Sequence, residues 1–171
     1  MSDNEFDPQN HRFAETSFFE DLTIGQRFYI PSRTLRDANF SAFQAASGDN
    51  HPIHYDVEYC KGQGHPELLA HGFQVLIQTA SGAGIFPHVI GESLIAFIDQ
   101  SSKFLGPVYY GDTVYPELVI TDLKEQKSTG VVTVRSTVHN QRQELVLEGE
   151  QRYLVRRRPS VSDDPKLETP G

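Results

Sequence analysis

Asp49 and His54 stand five residues apart in the segment Ser47-Gly48-Asp49-Asn50-His51-Pro52-Ile53-His54. A carboxylate and an imidazole at that spacing on a bent loop can converge on one water molecule. Pro52 lies between them, fixes its own φ and donates no backbone hydrogen bond, so the segment reads as a stiff, turn-rich loop. Histidine titrates near neutral pH, and a partly buried acid can be tuned toward it. Such a pair suits adding water across a double bond, or removing it. One group takes a proton from water while another supplies one to carbon. A plainer reading uses the same residues: Asp49 caps a turn and His54 packs on the loop. Four of the seven histidines (His51, His54, His65, His71) fall in this region. His71 precedes Gly72, which opens an apolar stretch. A glycine at a helix start offers backbone N–H groups to a negative carbonyl oxygen, with no side chain in the way. Taken alone, it also serves as a simple helix start in a crowded core.

Other chemistries find less support. Asp49, His51 and His54 are acceptable metal-ligand types, but there is no cysteine pair and no His-Glu-x-x-His, so no metal is expected. Ser47-Gly48 and Ser81-Gly82 lack the flanking glycines of a nucleophile elbow. Gly82-Ala83-Gly84 is too short for a phosphate loop and follows no strand. Cys60 is a lone thiol.

These residues need elements to hold them. The spacing predicts a strand over Arg27 to Leu35. A short helix follows, capped by Asp37 or Asn39, with Phe40, Phe43 and Ala46 on one face. Gly48 terminates it, leaving Asp49 just past a helix end. A second short helix is predicted near Asp56 to Cys60. From His71 to Gly84 the apolar residues recur at three-to-four spacing, as in a buried helix. Its second half, Ala80-Ser81-Gly82-Ala83-Gly84, has weak helix propensity and must be held by tertiary burial. Four strands follow: Leu94 to Phe104, Thr113 to Leu123, Val131 to Val138 and Glu144 to Val155. Asn140 to Gln143 is a hairpin turn, so the last two pair antiparallel. Gly149 marks a bulge or a close approach. The class is α+β, a curved antiparallel sheet around a long central helix.

The chain has 171 residues and a net charge of −8, enough for one domain with a real core. The expected organisation is a tail over 1–16, the domain over 17–158 and a second tail over 159–171. The acidic balance argues against a nucleic-acid surface. No apolar run approaches the ~20 residues that span a membrane. One cysteine and no signal-peptide pattern make the cytoplasm the expected compartment. Arg156-Arg157-Arg158 reads as a solvated strand end.

Three motifs now stand in order: Ser47-Gly48-Asp49 to His54-Tyr55-Asp56; Leu69-Ala70-His71-Gly72-Phe73; and Phe104-Leu105-Gly106-Pro107-Val108-Tyr109-Tyr110-Gly111-Asp112-Thr113. Together they resemble the MaoC-like, or R-specific, enoyl-CoA hydratases over roughly residues 20 to 155. The resemblance implies a hot-dog fold and a homodimer or larger assembly binding an acyl-CoA near a subunit interface. It implies no cofactor, since coenzyme A belongs to the substrate. It makes Asp49 and His54 the catalytic pair and Gly72 the donor to the thioester carbonyl. His51, Tyr55, His71 and Ser81 become substrate-binding candidates. Family members usually carry asparagine where this chain has His51. They often place a serine on the central helix, where this chain has Ala80 flanked by Thr79 and Ser81. The implied activity is reversible hydration of a 2-enoyl-CoA. A thioesterase on the same fold and a non-catalytic acyl-CoA-binding protein are the alternatives. Lys61, Lys103 and Arg33 are candidate phosphate contacts.

Overall fold

The computed structural model describes residues 7–159, so the expectations for residues 1–6 and 160–171 lie outside it. Six strands form one antiparallel sheet: β1 (Arg27–Tyr29), β2 (Arg33–Thr34), β3 (Leu94–Phe104), β4 (Thr113–Glu125), β5 (Thr129–Asn140) and β6 (Leu145–Arg156). Their order is β1-β4-β5-β6-β3, with β2 also on β4. The predicted first strand is thus two short ones. Pro31 lies in the gap and cannot donate to a ladder, while both halves pair with β4.

Helix α1 (Asp37–Ser47) ends at Gly48, whose φ of 70° is left-handed. Its start is closed by Asn39, whose Oδ1 accepts the Arg36 N–H at 3.0 Å. Asp56 caps α2 (Val57–Gly62) by accepting the Tyr59 N–H at 3.0 Å.

The central helix departs from expectation. Helix α3 (Gly72–Leu76) runs into a 3-10 turn at Ile77–Thr79 and stops. Ala80 is extended (ψ 116°), and a second 3-10 turn (Ser81–Ala83) precedes α4 (Phe86–Ile90). The cause is local and tertiary together. Gln151 donates Nε2 to the Thr79 carbonyl at 3.0 Å, and the Thr79 hydroxyl donates to the Leu76 carbonyl at 2.8 Å. Two carbonyls that would continue a helix are thereby occupied. Ser81 to Gly84 contribute little propensity to resist this, and Pro87 has no N–H to extend α4 backward.

The core falls into two apolar clusters. One gathers Phe19, Phe28, Phe86, Ile90, Leu118, Ile120, Val132, Val134, Tyr153 and Val155. The other gathers Leu35, Phe40, Val75, Val114, Val138, Val146 and Leu147. Along β5 and β6 they are separated by Ser136, Gly149 and Gln151, and the helix breaks against this polar seam. Gly149 makes the close approach its position suggested. A Cβ there would lie 2.2 Å from the Ser101 carbonyl oxygen. Gly149→Ala is therefore expected to destabilise by about 2 kcal/mol through overpacking. In a chain of this size that is a Tm lower by roughly 4–8 °C. An unchanged melting curve would contradict the close packing of β3 on β6.

At the far end, Arg157 pairs with Glu20 and Glu125, and Arg158 with Asp21. These exposed pairs tie the end of β6 to the segment around Phe19.

Candidate active site

The loop holding Asp49 and His54 is clipped to the segment leading into α3. The Leu69 N–H donates to the Ile53 carbonyl at 3.1 Å, and the Cys60 thiol reaches the same carbonyl at 3.0 Å. Residues 68–70 lie in turn against residues 108–110, through Ala70 N–H to Val108 O (2.8 Å) and Tyr110 N–H to Leu68 O (2.9 Å). Asp112 braces that turn, accepting from the Tyr109 N–H at 2.9 Å and from Gln141 and Arg142. Burial works to raise the Asp112 carboxyl, but those donors outweigh it and hold it below the usual carboxylate range. The third motif thus supports the site from behind.

Three proton-handling groups meet as a result. A ligand-type atom from each of Asp49, His54 and His71 lies within 4.8 Å of the other two. The His54 and His71 rings stack, with centroids 3.6 Å apart and planes inclined by 22°. His54 Nδ1 sits 2.6 Å from the Leu69 carbonyl, which can only accept, so Nδ1 carries the proton. Nε2 is left as the base. Burial is the largest influence on His54 and pushes its pKa below the ordinary value. The Leu69 carbonyl and Asp49 oppose that; His71 and His51 add to it. Asp49 is half exposed and its Oδ2 lies 3.8 Å from His71 Nε2.

Could this cluster hold a metal? The residue types suit one, and a ligand-type atom of each lies close to the others. Both nitrogens of His71 are engaged, by Gln74 and Tyr55, and His54 Nδ1 is engaged by Leu69, which leaves Asp49 and His54 Nε2 to offer.

The other candidates are placed as follows. Gly72 opens α3, so its N–H has no intrahelical acceptor. A Cβ on it would sit 3.2 Å from the Phe104 ring. The absent side chain therefore makes room for that ring. His51 is exposed and caps the Pro52–His54 turn, its Nδ1 accepting the Ile53 N–H at 3.3 Å. Its own N–H reaches Asp49 Oδ1 at 3.2 Å. An imidazole thus braces the loop. Tyr55 Oη lies 2.9 Å from His71 Nε2. Ser81 is placed elsewhere: it lies by the Tyr153 phenol, which donates to Gln151. Among the phosphate candidates, Lys61 pairs with Glu58 at 2.7 Å, and Arg33 and Lys103 are exposed. Gln74, unnoticed in the sequence, accepts both the backbone N–H and Nδ1 of His71 through one oxygen, at 3.3 and 3.2 Å. Its i, i+3 spacing from His71 at a helix start was the available signal.

A six-stranded antiparallel sheet curved over helical segments is the hot-dog arrangement. Residues 19–142 match the model of the MaoC like domain, and the chain belongs to that family. It is 30% identical to an (R)-specific enoyl-CoA hydratase of Rhodospirillum rubrum over 142 residues, covering 81% of this chain and 91% of the relative. It is 25% identical to a mitochondrial 3-hydroxyacyl-[acyl-carrier-protein] dehydratase of Solanum lycopersicum, covering 93% and 92%. Among solved structures, a monoamine oxidase regulatory protein from Archaeoglobus fulgius superposes with a TM-score of 0.78 at 31% identity, covering 84% and 97%.

Proposed function

We propose that the chain is a hydro-lyase that reversibly hydrates a 2-enoyl-CoA to a 3-hydroxyacyl-CoA. The observation that carries this is the convergence of Asp49 on a His54 whose Nδ1 proton is committed to Leu69, leaving Nε2 free. Water held between them loses a proton to His54 Nε2 as its oxygen bonds the β carbon. The thioester oxygen gains negative charge, and the Gly72 N–H donates to it. The proton taken up by His54 is relayed through Asp49 to the α carbon, so the elements of water are added, both side chains return to their starting states and no redox partner is consumed. The test is direct. Crotonyl-CoA and longer or branched 2-enoyl-CoAs should lose their enone absorbance on mixing with the protein, with no free thiol released. Release of thiol in place of hydration would make it a thioesterase. Supplying the same acyl group on acyl-carrier protein decides the carrier.

The pH profile gives a second check. His54 acts as base only when neutral, and burial holds its pKa below the ordinary 6.5. Activity should therefore persist as pH falls through 6.5 and be lost only at lower pH. An acid limb of kcat/KM above that value would remove His54 as the base.

The assembly follows from the sheet's edge. Strand β3 has no neighbour on its outer side among the described residues, and Ile95, Phe97, Ile98, Phe104 and Leu105 on and beside it are exposed. Phe73 and Ile77 add to the same surplus of exposed apolar side chains. A second copy is the natural cover for an edge this long and apolar. Light scattering should give twice the 19.2 kDa chain mass, and Ile98→Asp should shift it toward monomer. No helix among the described residues is long and apolar enough to cross a membrane. A reducing cytoplasm is the compartment we assign, where the buried Cys60 stays a thiol.

A further inference from the structure

Tyr55 and His71 stand among the substrate-binding candidates, yet the polar atoms of each are turned to the other. His71 is only 3% exposed and lies between two rings, His54 at 3.6 Å and Phe43 at 4.7 Å. Its hydrogen bonds admit one tautomer. Gln74 Oε1 takes the His71 backbone N–H, so the oxygen, not the amide nitrogen, must face that residue. The same oxygen accepts at Nδ1, which therefore carries the ring proton. Nε2 is the lone pair, and the Tyr55 hydroxyl donates to it at 2.9 Å. Burial, then the charge of Asp49, push the Tyr55 phenol above its ordinary pKa, so it stays a donor. The arrangement has a cost: Gln74 Nε2 is buried without a partner among the described residues, an expense that aims Oε1 at His71.

The alternative tautomer is close at hand. Asp49 Oδ2 lies 3.8 Å from the same Nε2. A charged carboxylate is a stronger acceptor than a neutral amide. If Nε2 carried the proton, His71 would bond Asp49 and hold the carboxylate away from water and substrate. Gln74 Oε1 on Nδ1 and the Tyr55 hydroxyl on Nε2 oppose this together.

We propose that Tyr55 and His71 form a positioning couple. Tyr55, acting with Gln74 on the other ring nitrogen, holds His71 as the Nδ1–H tautomer, flat against His54, so that Asp49 faces the reacting water and is not captured by the second imidazole. The couple touches the reaction only through Asp49 and His54. Its kinetic consequence rests on the hydratase reading above; its structural consequence does not.

Tyr55→Phe removes one oxygen from a half-buried ring and leaves the packing in place, which circular dichroism should confirm. Two measurements follow. In histidine 1H–15N correlation spectra, the wild type should show His71 wholly as Nδ1–H, and the variant should gain an Nε2–H population bonded to Asp49. With 2-enoyl-CoA, the variant should lose about tenfold in kcat, the worth of one hydrogen bond, while KM stays within about twofold. An unchanged tautomer overturns the proposal. So does a raised KM with unchanged kcat, which would return Tyr55 to substrate binding. If the wild type hydrates no enoyl-CoA, the functional reading falls, and the spectra still decide the couple.

Discussion

His54→Ala is expected to lower kcat for hydration of a 2-enoyl-CoA by at least ~100-fold, with a much smaller change in KM. The size follows from what the side chain supplies. Its Nε2 is the one base in the site whose proton budget is free: Nδ1 is committed to the Leu69 carbonyl at 2.6 Å. His71 Nε2 cannot substitute, since the Tyr55 hydroxyl occupies it. A 100-fold loss corresponds to ~2.7 kcal/mol of transition-state stabilisation. Alanine also removes the ring on which His71 stacks, so some loss could come from disorder. His54→Gln separates the two effects. The glutamine amide can still donate toward Leu69 and fill the space, yet it cannot take a proton from water. Both variants should be equally inactive while the glutamine variant keeps the wild-type Tm. Wild-type turnover in a folded His54→Gln protein would end the case for His54 as base.

Much of this was legible before any coordinates, for identifiable reasons. Strand β4 alternates in burial over its first half, and period two is visible in Val114, Leu118 and Ile120, whereas β5 is buried on both faces at Val132–Val134 and Ser136–Val138. Gly48 marked a helix end because glycine adopts the left-handed turn there without a Cβ penalty. Asp49 and His54 were singled out by type and spacing, while a role for Gly72 came only with the family resemblance. The broken central helix was not legible. Its cause is Gln151, 72 residues from Thr79, whose amide takes a carbonyl that a continuous helix would need. Periodicity reports which face is buried and not what the buried partner bonds. The His51 cap was hidden for a related reason: propensity describes asparagine and aspartate caps well and imidazole caps poorly. Ser81 shared the apolar stretch with His71, but the break places it in a separate 3-10 turn beside Tyr153. The stacking of His54 on His71 needed the clip between Ile53 and Leu69, a tertiary contact with no local signature.

Asp49→Asn should cost at least ~100-fold in kcat, and here the fold is not at issue. The side chain is half exposed, asparagine has the same shape, and its oxygen can still accept the His51 N–H that Oδ1 takes at 3.2 Å. What is lost is the charge and the capacity to carry a proton toward the α carbon. The charge has a second, separately measurable effect. Asp49 favours the protonated form of His54 and so works against the depression of its pKa by burial. Without it, the His54 pKa should fall further. The sign is therefore fixed: the acid limb of kcat/KM moves to lower pH in Asp49→Asn, even as the plateau drops. A merely structural aspartate would lower the plateau and leave the limb where it was. A limb that moved upward would mean that Asp49 does not face His54 in solution, and the catalytic pair would have to be drawn differently. Observing both the drop and the downward shift in one variant ties the carboxylate to the imidazole energetically, which neither distance nor family likeness can do alone.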